Sequence, residues 1–421
     1  MYSIVRHIEP IVKRRAKNSK AILLTGPRQV GKSTLFKHLF SSANQVTFDD
    51  DLILAQAAED VGLFLMNNPC PLMIDEVQKC PSIFNRLKIV LDNTENLSNF
   101  YLTGSQKLQL MENVSDSLAG RISIVELEGL SLREINRVDF NHHFVPTEEY
   151  LIEREKHLKK YSADIWATIH RGSYPELYAN PEREWIDYYQ SYVKTYLERD
   201  VNKLIKAKNH LTFMRFMTAV AARTGQIINY ANIASELDVS EVTVKEWISI
   251  LEKSGIVYIL KPYTASVLKR AVKTPKLYFR DTGLCCYLTR WLTPDTLKNG
   301  AMAGAMFETF VINEIFKSYS NEGLEYDFDV YYYNGRDKKK KTENGESIEV
   351  DGEIDLIIQE DGILYPIEIK MSTMPKASMA SEFDVLDGIP DRKRGMGAII
   401  CLLDRKLYLR ENLVALPLEY L

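Results

Sequence analysis

Short apolar runs alternate with amphipathic stretches through the first 140 residues. Ala21-Ile22-Leu23-Leu24, Gln45-Val46-Thr47-Phe48, Pro71-Leu72-Met73-Ile74, Phe100-Tyr101-Leu102 and Ile122-Ser123-Ile124-Val125 have the length and character of strands covered on both faces. Between them apolar residues recur at helical spacing, most clearly from Pro81 to Leu91, where a proline falls in the first turn. This alternation predicts an α/β unit on a parallel sheet over residues 1–140.

The pattern then changes three times. Residues 141–208 are polar and then aromatic, with helical spacing over Leu151–Lys160 and Trp185–Leu204, and read as a helical connector or lid. Within 209–290, the amphipathic helices Tyr230–Leu237 and Glu241–Lys253 flank the turn Asp238-Val239-Ser240. Gly255 stops the second helix and Ile256–Leu260 is strand-like, the order of a winged helix-turn-helix. Residues 296–421 predict a second α/β unit. It has a helix around Phe307–Phe316, a polar loop from Asn334 to Ser347 containing Lys338-Lys339-Lys340-Lys341, and two alternating strands that meet at Asp361-Gly362.

Composition narrows the function classes. The 421 residues are 45% hydrophobic and 26% charged, an ordinary globular balance that fits several domains. No apolar run approaches the ~18 residues of a membrane helix, so no membrane partner is expected. Charge at Arg6 comes too early for a signal peptide, so a cytoplasmic protein is expected. Five cysteines without a C-x-x-C pair give neither a disulfide framework nor a thiolate zinc site. A net charge of -4 confines any nucleic-acid contact to a local patch.

One segment carries specific chemistry. Gly26-Pro27-Arg28-Gln29-Val30-Gly31-Lys32-Ser33, followed by Thr34, fits the P-loop spacing between a strand and a helix. The loop Gly26, Pro27, Arg28, Gln29, Val30, Gly31, Lys32, Ser33 and Thr34 would cradle phosphates at a helix N-terminus, through the backbone N–H groups of all but Pro27. Lys32 reaches the β- and γ-phosphates of ATP, and the Ser33 hydroxyl ligates Mg²⁺. Pro71-Leu72-Met73-Ile74 ends in Asp75 and Glu76: Asp75 holds the Mg²⁺ and Glu76 polarises the attacking water. Thr103 or Ser105, at the end of a neighbouring strand, faces the γ-phosphate. Arg121 is either a finger across a subunit interface of a homo-oligomer or a surface residue, and Arg28 either touches phosphate or braces the loop.

These strings, with Ile74-Asp75-Glu76-Val77-Gln78, Leu102-Thr103-Gly104-Ser105-Gln106 and Leu118-Ala119-Gly120-Arg121, resemble a prokaryotic AAA+ ATPase family. Arg171 to Glu176, Tyr196 to Val201 and Lys276 to Asp281 extend the resemblance along most of the chain. It implies an AAA+ core, a winged helix and a C-terminal restriction-endonuclease-like domain.

Two further regions bear on partners. Residues 209–290 hold eleven Lys and Arg against six Asp and Glu, and 261–280 holds Lys261, Lys269, Arg270, Lys273, Lys276 and Arg280 with no acid. That basic wing is a footprint for DNA phosphates, opposed by Glu241 and Glu246 on the second helix. In the C-terminal hairpin, Glu368 and Lys370 share a face and Asp355 falls across from them, a pair of acids able to hold Mg²⁺ with a lysine beside it. Asp355…Glu368-x-Lys370 resembles the restriction-endonuclease-like signature, and by that resemblance Glu308 is its additional acid. The sequence therefore predicts an ATPase with a DNA-facing, nuclease-like C-terminal half. The alternative is a nucleotide-dependent switch that binds protein partners and carries an inactive C-terminal domain.

Overall fold

Strand β1 (Ala21–Thr25) is buried along its whole length. In the computed structural model, which describes residues 4–104, 118–161, 164–195, 210–263, 274–341 and 347–421, it lies inside a five-stranded sheet. The other strands are β2 (Asn44–Thr47), β3 (Leu72–Asp75), β4 (Phe100–Thr103) and β5 (Ile122–Glu126), in the order β2-β3-β4-β1-β5. Every pairing is parallel. Alternation along β1 sends Ile22 and Leu24 to one apolar cluster and Ala21 and Leu23 to the other. The second cluster is closed by Ile83, Phe84 and Leu87 of the helix Ser82–Asn93.

The middle of the chain places the helices His210–Ala221, Tyr230–Leu237 and Glu241–Lys253 beside a small antiparallel sheet. Its strands β6 (Gln226–Ile227), β7 (Val257–Leu260) and β8 (Lys276–Phe279) run in the order β6-β8-β7. Asp238 takes the left-handed conformation after the first helix of the expected pair, and the Ser240 hydroxyl caps the next by accepting from the Thr243 amide. Of the helix expected over Leu151–Lys160 only the first half forms, within Glu148–Glu155; of that expected over Trp185–Leu204, Trp185–Tyr192 is helical and the residues from 196 lie outside the described ones. Tyr196 to Val201 and the wing positions Lys269, Arg270 and Lys273 lie outside the described residues.

The C-terminal sheet is mixed and seven-stranded. Its strands are β9 (Val330–Lys341), β10 (Ser347–Glu360), β11 (Ile363–Lys370), β12 (Lys393–Arg394), β13 (Gly397–Cys401), β14 (Leu407–Arg410) and β15 (Leu413–Leu416). The Asp361-Gly362 turn joins β10 to β11 with positive φ at both residues, as a tight hairpin requires. The polar loop expected over 334–347 is corrected over 334–341, where β9 runs on to Lys341 and Lys338 pairs with Val350; 342–346 lie outside the described residues. The β-propensity of Ile348 and Val350 extends the ladder, and a lysine-rich edge strand resists pairing with another chain.

The helix Ala303–Glu322 has sixteen of its 20 residues buried. Its buried charges are paired: Lys317 Nζ lies 2.8 Å from Glu314 and donates to the Leu130 carbonyl, while Glu314 accepts from the Leu132 amide. No described helix is long and apolar enough to cross a membrane.

His143 ties this helix to the sheet. Its Nδ1 is 2.6 Å from Glu322 and its Nε2 is 3.1 Å from Glu360. Burial alone would lower its pKa, but the two carboxylates outweigh burial and raise it to about 9. A raised folded-state pKa gives stability that is complete below the ordinary value of 6.5 and is lost as pH rises through about 9. Denaturant unfolding at pH 6, 7.5 and 9.5 should therefore show a progressive loss for the native chain. His143→Gln should flatten that dependence and lower stability at pH 6.

Candidate nucleotide site

The loop after β1 turns through two glycines that no other residue replaces. Gly26 has φ +138°, and a Cβ there would stand 2.2 Å from the Leu127 carbonyl oxygen. Gly31 has φ +94° and is the last residue before the helix Lys32–Leu39. The loop thus bends from strand to helix and presses against the chain leaving β5.

Lys32 folds back over this loop. Its Nζ donates to the Gly26 carbonyl at 3.0 Å and the Pro27 carbonyl at 2.6 Å. Burial lowers its pKa to about 8, with Glu76 and Asp75 acting to raise it and Arg28 to lower it. The Ser33 hydroxyl donates to Asp75 Oδ1 at 2.8 Å, and Thr103 Oγ1 donates to the same oxygen. A serine hydroxyl against a carboxylate at a strand end is a hard oxygen donor set, which fits Mg²⁺. Glu76 has φ +54° and accepts from Gln78 Nε2.

A cleft of about 680 Å³ opens over the loop. Arg28, Gln29, Val30, Gly31, Lys32, Ser33, Thr34 and Glu76 line it, so the expected phosphate and water-polarising residues share one space. Thr103 touches Asp75 from below, and Ser105 lies outside the described residues. Arg121 is elsewhere: at the surface its guanidinium pairs with Asp92 at 2.6 Å.

Several lining residues were not read from the sequence. Arg6 is buried, bonds Glu134 at 2.9 Å, and donates to the carbonyls of Val30 and Glu128. It braces the loop from behind. Pro175, Glu176 and Arg183 line the cleft from the connector block. The helix start at Pro175 was a visible signal, but nothing local pointed it toward the loop. Gln78, just after the two acids, does not line the cleft but holds Glu76 from beside it.

The C-terminal acids meet as the hairpin register predicts. Lys370 Nζ lies 2.5 Å from Glu368 and 3.5 Å from Asp355, whose Oδ2 also accepts from the Ile369 amide. Burial and the neighbouring Asp355 raise the Glu368 pKa against Lys370. Glu308, on the helix Ala303–Glu322, accepts from Tyr278 OH at 2.6 Å and pairs with Lys276 at 3.3 Å. Among the described residues no group of three or more His, Cys, Asp or Glu stands ready to hold a metal. With each acid engaged by an ammonium, hydroxyl or amide, this group as arranged does not fit a resident divalent cation.

The basic wing is also corrected in part. Lys276 is buried against Glu308 and Glu353, and Arg280 against Glu128, so neither faces outward. The acids hold them there, since a lysine or arginine so little exposed is costly without a partner.

Residues 18–136 match a family of AAA domains. Residues 162–295 and 303–421 match two further families, each described as a domain of unknown function, DUF8612 and DUF4143. The chain is similar to the uncharacterized protein Rv2008c of Mycobacterium tuberculosis, 28% identical over 413 residues, covering 97% of this chain and 82% of that protein. The uncharacterized protein MJ1637 of Methanocaldococcus jannaschii is 24% identical over 61% of this chain and 60% of its own length. Among solved structures, the Walker-type ATPase PABY2304 of Pyrococcus abyssi covers 67% of this chain and 94% of itself, at 14% identity and a TM-score of 0.39. A score of that size establishes no shared fold.

The match over residues 18–136 makes the N-terminal block similar to AAA domains. Gly26→Ala should break its loop. The new Cβ meets a carbonyl oxygen in a backbone conformation that alanine resists, so stability falls by more than ~1 kcal/mol. Thermal unfolding should report that loss, and nucleotide binding measured by calorimetry should vanish.

Proposed function

We propose that the chain binds ATP with Mg²⁺ at the loop Gly26 to Thr34 and hydrolyses it. The observation that carries this reading is that Lys32, Ser33 and Glu76 line one cleft over the glycine loop, with Asp75 joined to it through the Ser33 hydroxyl. Lys32 leaves the Gly26 and Pro27 carbonyls to meet the β- and γ-phosphates. Ser33 and Asp75 hold the Mg²⁺, which when bound neutralises phosphate charge. Glu76, steadied by Gln78, accepts the proton of the attacking water at its carboxylate. Arg28 and Arg183 add positive charge at the cleft and position the triphosphate.

For the rest of the chain, specific observations favour a nucleotide-dependent switch that engages protein partners over a DNA-facing nuclease. Two of the six basic wing residues are turned inward on acids. Glu241, Glu246 and Glu252 are exposed on the helix Glu241–Lys253, against Lys245 and Lys253. With those charges summing to -1 and interleaved on one arc, the helix offers phosphates no positive face. The turn, cap and small sheet still support a winged helix, used here as a rigid contact surface. A homo-oligomer that presents Arg121 to a neighbouring cleft must first release it from Asp92.

Lys32→Ala should abolish ATP binding in calorimetry. Glu76→Gln should retain binding and slow phosphate release by ~10²–10⁴. A Glu76→Gln protein with native turnover would remove Glu76 as the base. Duplex DNA should leave the native turnover unchanged, and a strong stimulation would restore the DNA-facing reading.

A further inference from the structure

Two ammonium groups stand among four carboxylates where β8, the helix Ala303–Glu322 and the β10–β11 hairpin meet. Lys370 belongs to the same hairpin as Asp355 and Glu368. Lys276 does not. It arrives from the small sheet, 32 residues before Glu308, and its side chain is 4% exposed. Its Nζ lies 3.3 Å from Glu308 Oε1 and also pairs with Glu353 Oε1. The Tyr332 ring stands 5.5 Å from the ammonium. Tyr278, two residues along β8 and so on the same face, donates to the same Glu308 oxygen.

A buried lysine holds its charge only against acids, and carboxylates gathered this closely need a cation among them. A divalent ion would ordinarily satisfy such an oxygen set. Here the chain supplies the charge itself, from a neighbouring unit.

We propose that Lys276 is the resident cation of the C-terminal carboxylate group: its ammonium fills the position between Glu308 and Glu353 that a divalent ion would take, and closes the acids to metal while β8 stays docked. Withdrawal of that ammonium leaves Glu308, Glu353 and Asp355 as oxygen ligands with a surplus of negative charge. The acids then accept Mg²⁺ or Mn²⁺. The inference is independent of whether the cleft over Gly26 to Thr34 hydrolyses ATP.

Mn²⁺ titration of the nucleotide-free full chain, followed by the loss of the free-ion paramagnetic signal, tests it. The native chain should bind Mn²⁺ at least about tenfold more weakly than Lys276→Ala. Adding Asp355→Asn to Lys276→Ala should remove the gain, which a merely structural role for Lys276 would not produce. Lys276→Gln, whose amide still donates to Glu308, should keep the fold where alanine loses it, and should show the same gain. Two results would overturn the proposal. One is native binding as tight as that of Lys276→Ala and abolished by Asp355→Asn alone. The other is a folded Lys276 variant with no gain.

Discussion

The Arg280–Glu128 ion pair is the contact on which the arrangement of the chain depends. Glu128 follows β5 and is 6% exposed, and Arg280 follows β8 with its side chain 15% exposed. Removing one partner of such a pair leaves a buried charge uncompensated, at a cost of about 3–5 kcal/mol. The pair fixes the small sheet against the loop that closes the nucleotide cleft. The next residue, Asp281, adds a second tie. It accepts from the Ser173 amide and hydroxyl, the Tyr189 hydroxyl and the Leu284 amide. A Cβ at Gly255 would stand 2.8 Å from the Pro27 ring, so the turn after the helix Glu241–Lys253 rests directly on the phosphate loop.

The six residues Lys276 to Asp281 therefore face two ways. Arg280 and Asp281 hold the nucleotide side of the molecule, while Lys276 and Tyr278 hold Glu308 on the C-terminal side. A strand is stiff along its length, so a displacement felt at one end of β8 is carried to the other. That gives a physical route between the two sites, built from discrete ion pairs rather than a diffuse apolar contact.

Much of this was legible in the sequence, and the boundary of legibility is physical. The phosphate loop and its two acids were readable because strand, glycine turn and helix are consecutive in the chain. The hairpin was readable because Asp361-Gly362 sets the register that places Asp355 near Glu368. Arg6 and Arg183 were not, because each reaches the cleft by tertiary packing from another element. Lys276 and Arg280 were counted as outward charges, since a charge count carries no direction. Yet alternation in Lys276-Leu277-Tyr278-Phe279-Arg280 puts the two basic residues on the face opposite Leu277 and Phe279, and so left only their partners hidden. Residues 334–341 of the expected loop are strand instead, because lysine content reads as solvation, whereas an edge strand tolerates lysine as readily as a loop does.

The apolar interior sets where motion is possible. One connected cluster of buried side chains runs from Ile8 to Leu421 and draws on every block of the chain. The three family matches therefore divide the sequence more sharply than the core divides the molecule. Separating apolar faces exposes surface at about 25 cal/mol per Å², and water offers nothing in exchange. Ion pairs differ, because water or a phosphate can replace a lost partner. The contacts able to exchange are thus the charged ones, provided a new partner replaces the old: Lys32 with the loop carbonyls, Arg280 with Glu128, and Lys276 with Glu308 and Glu353. A triphosphate entering the cleft competes for the first of these, and the packing of Gly255 on Pro27 places the other two within reach of its consequences.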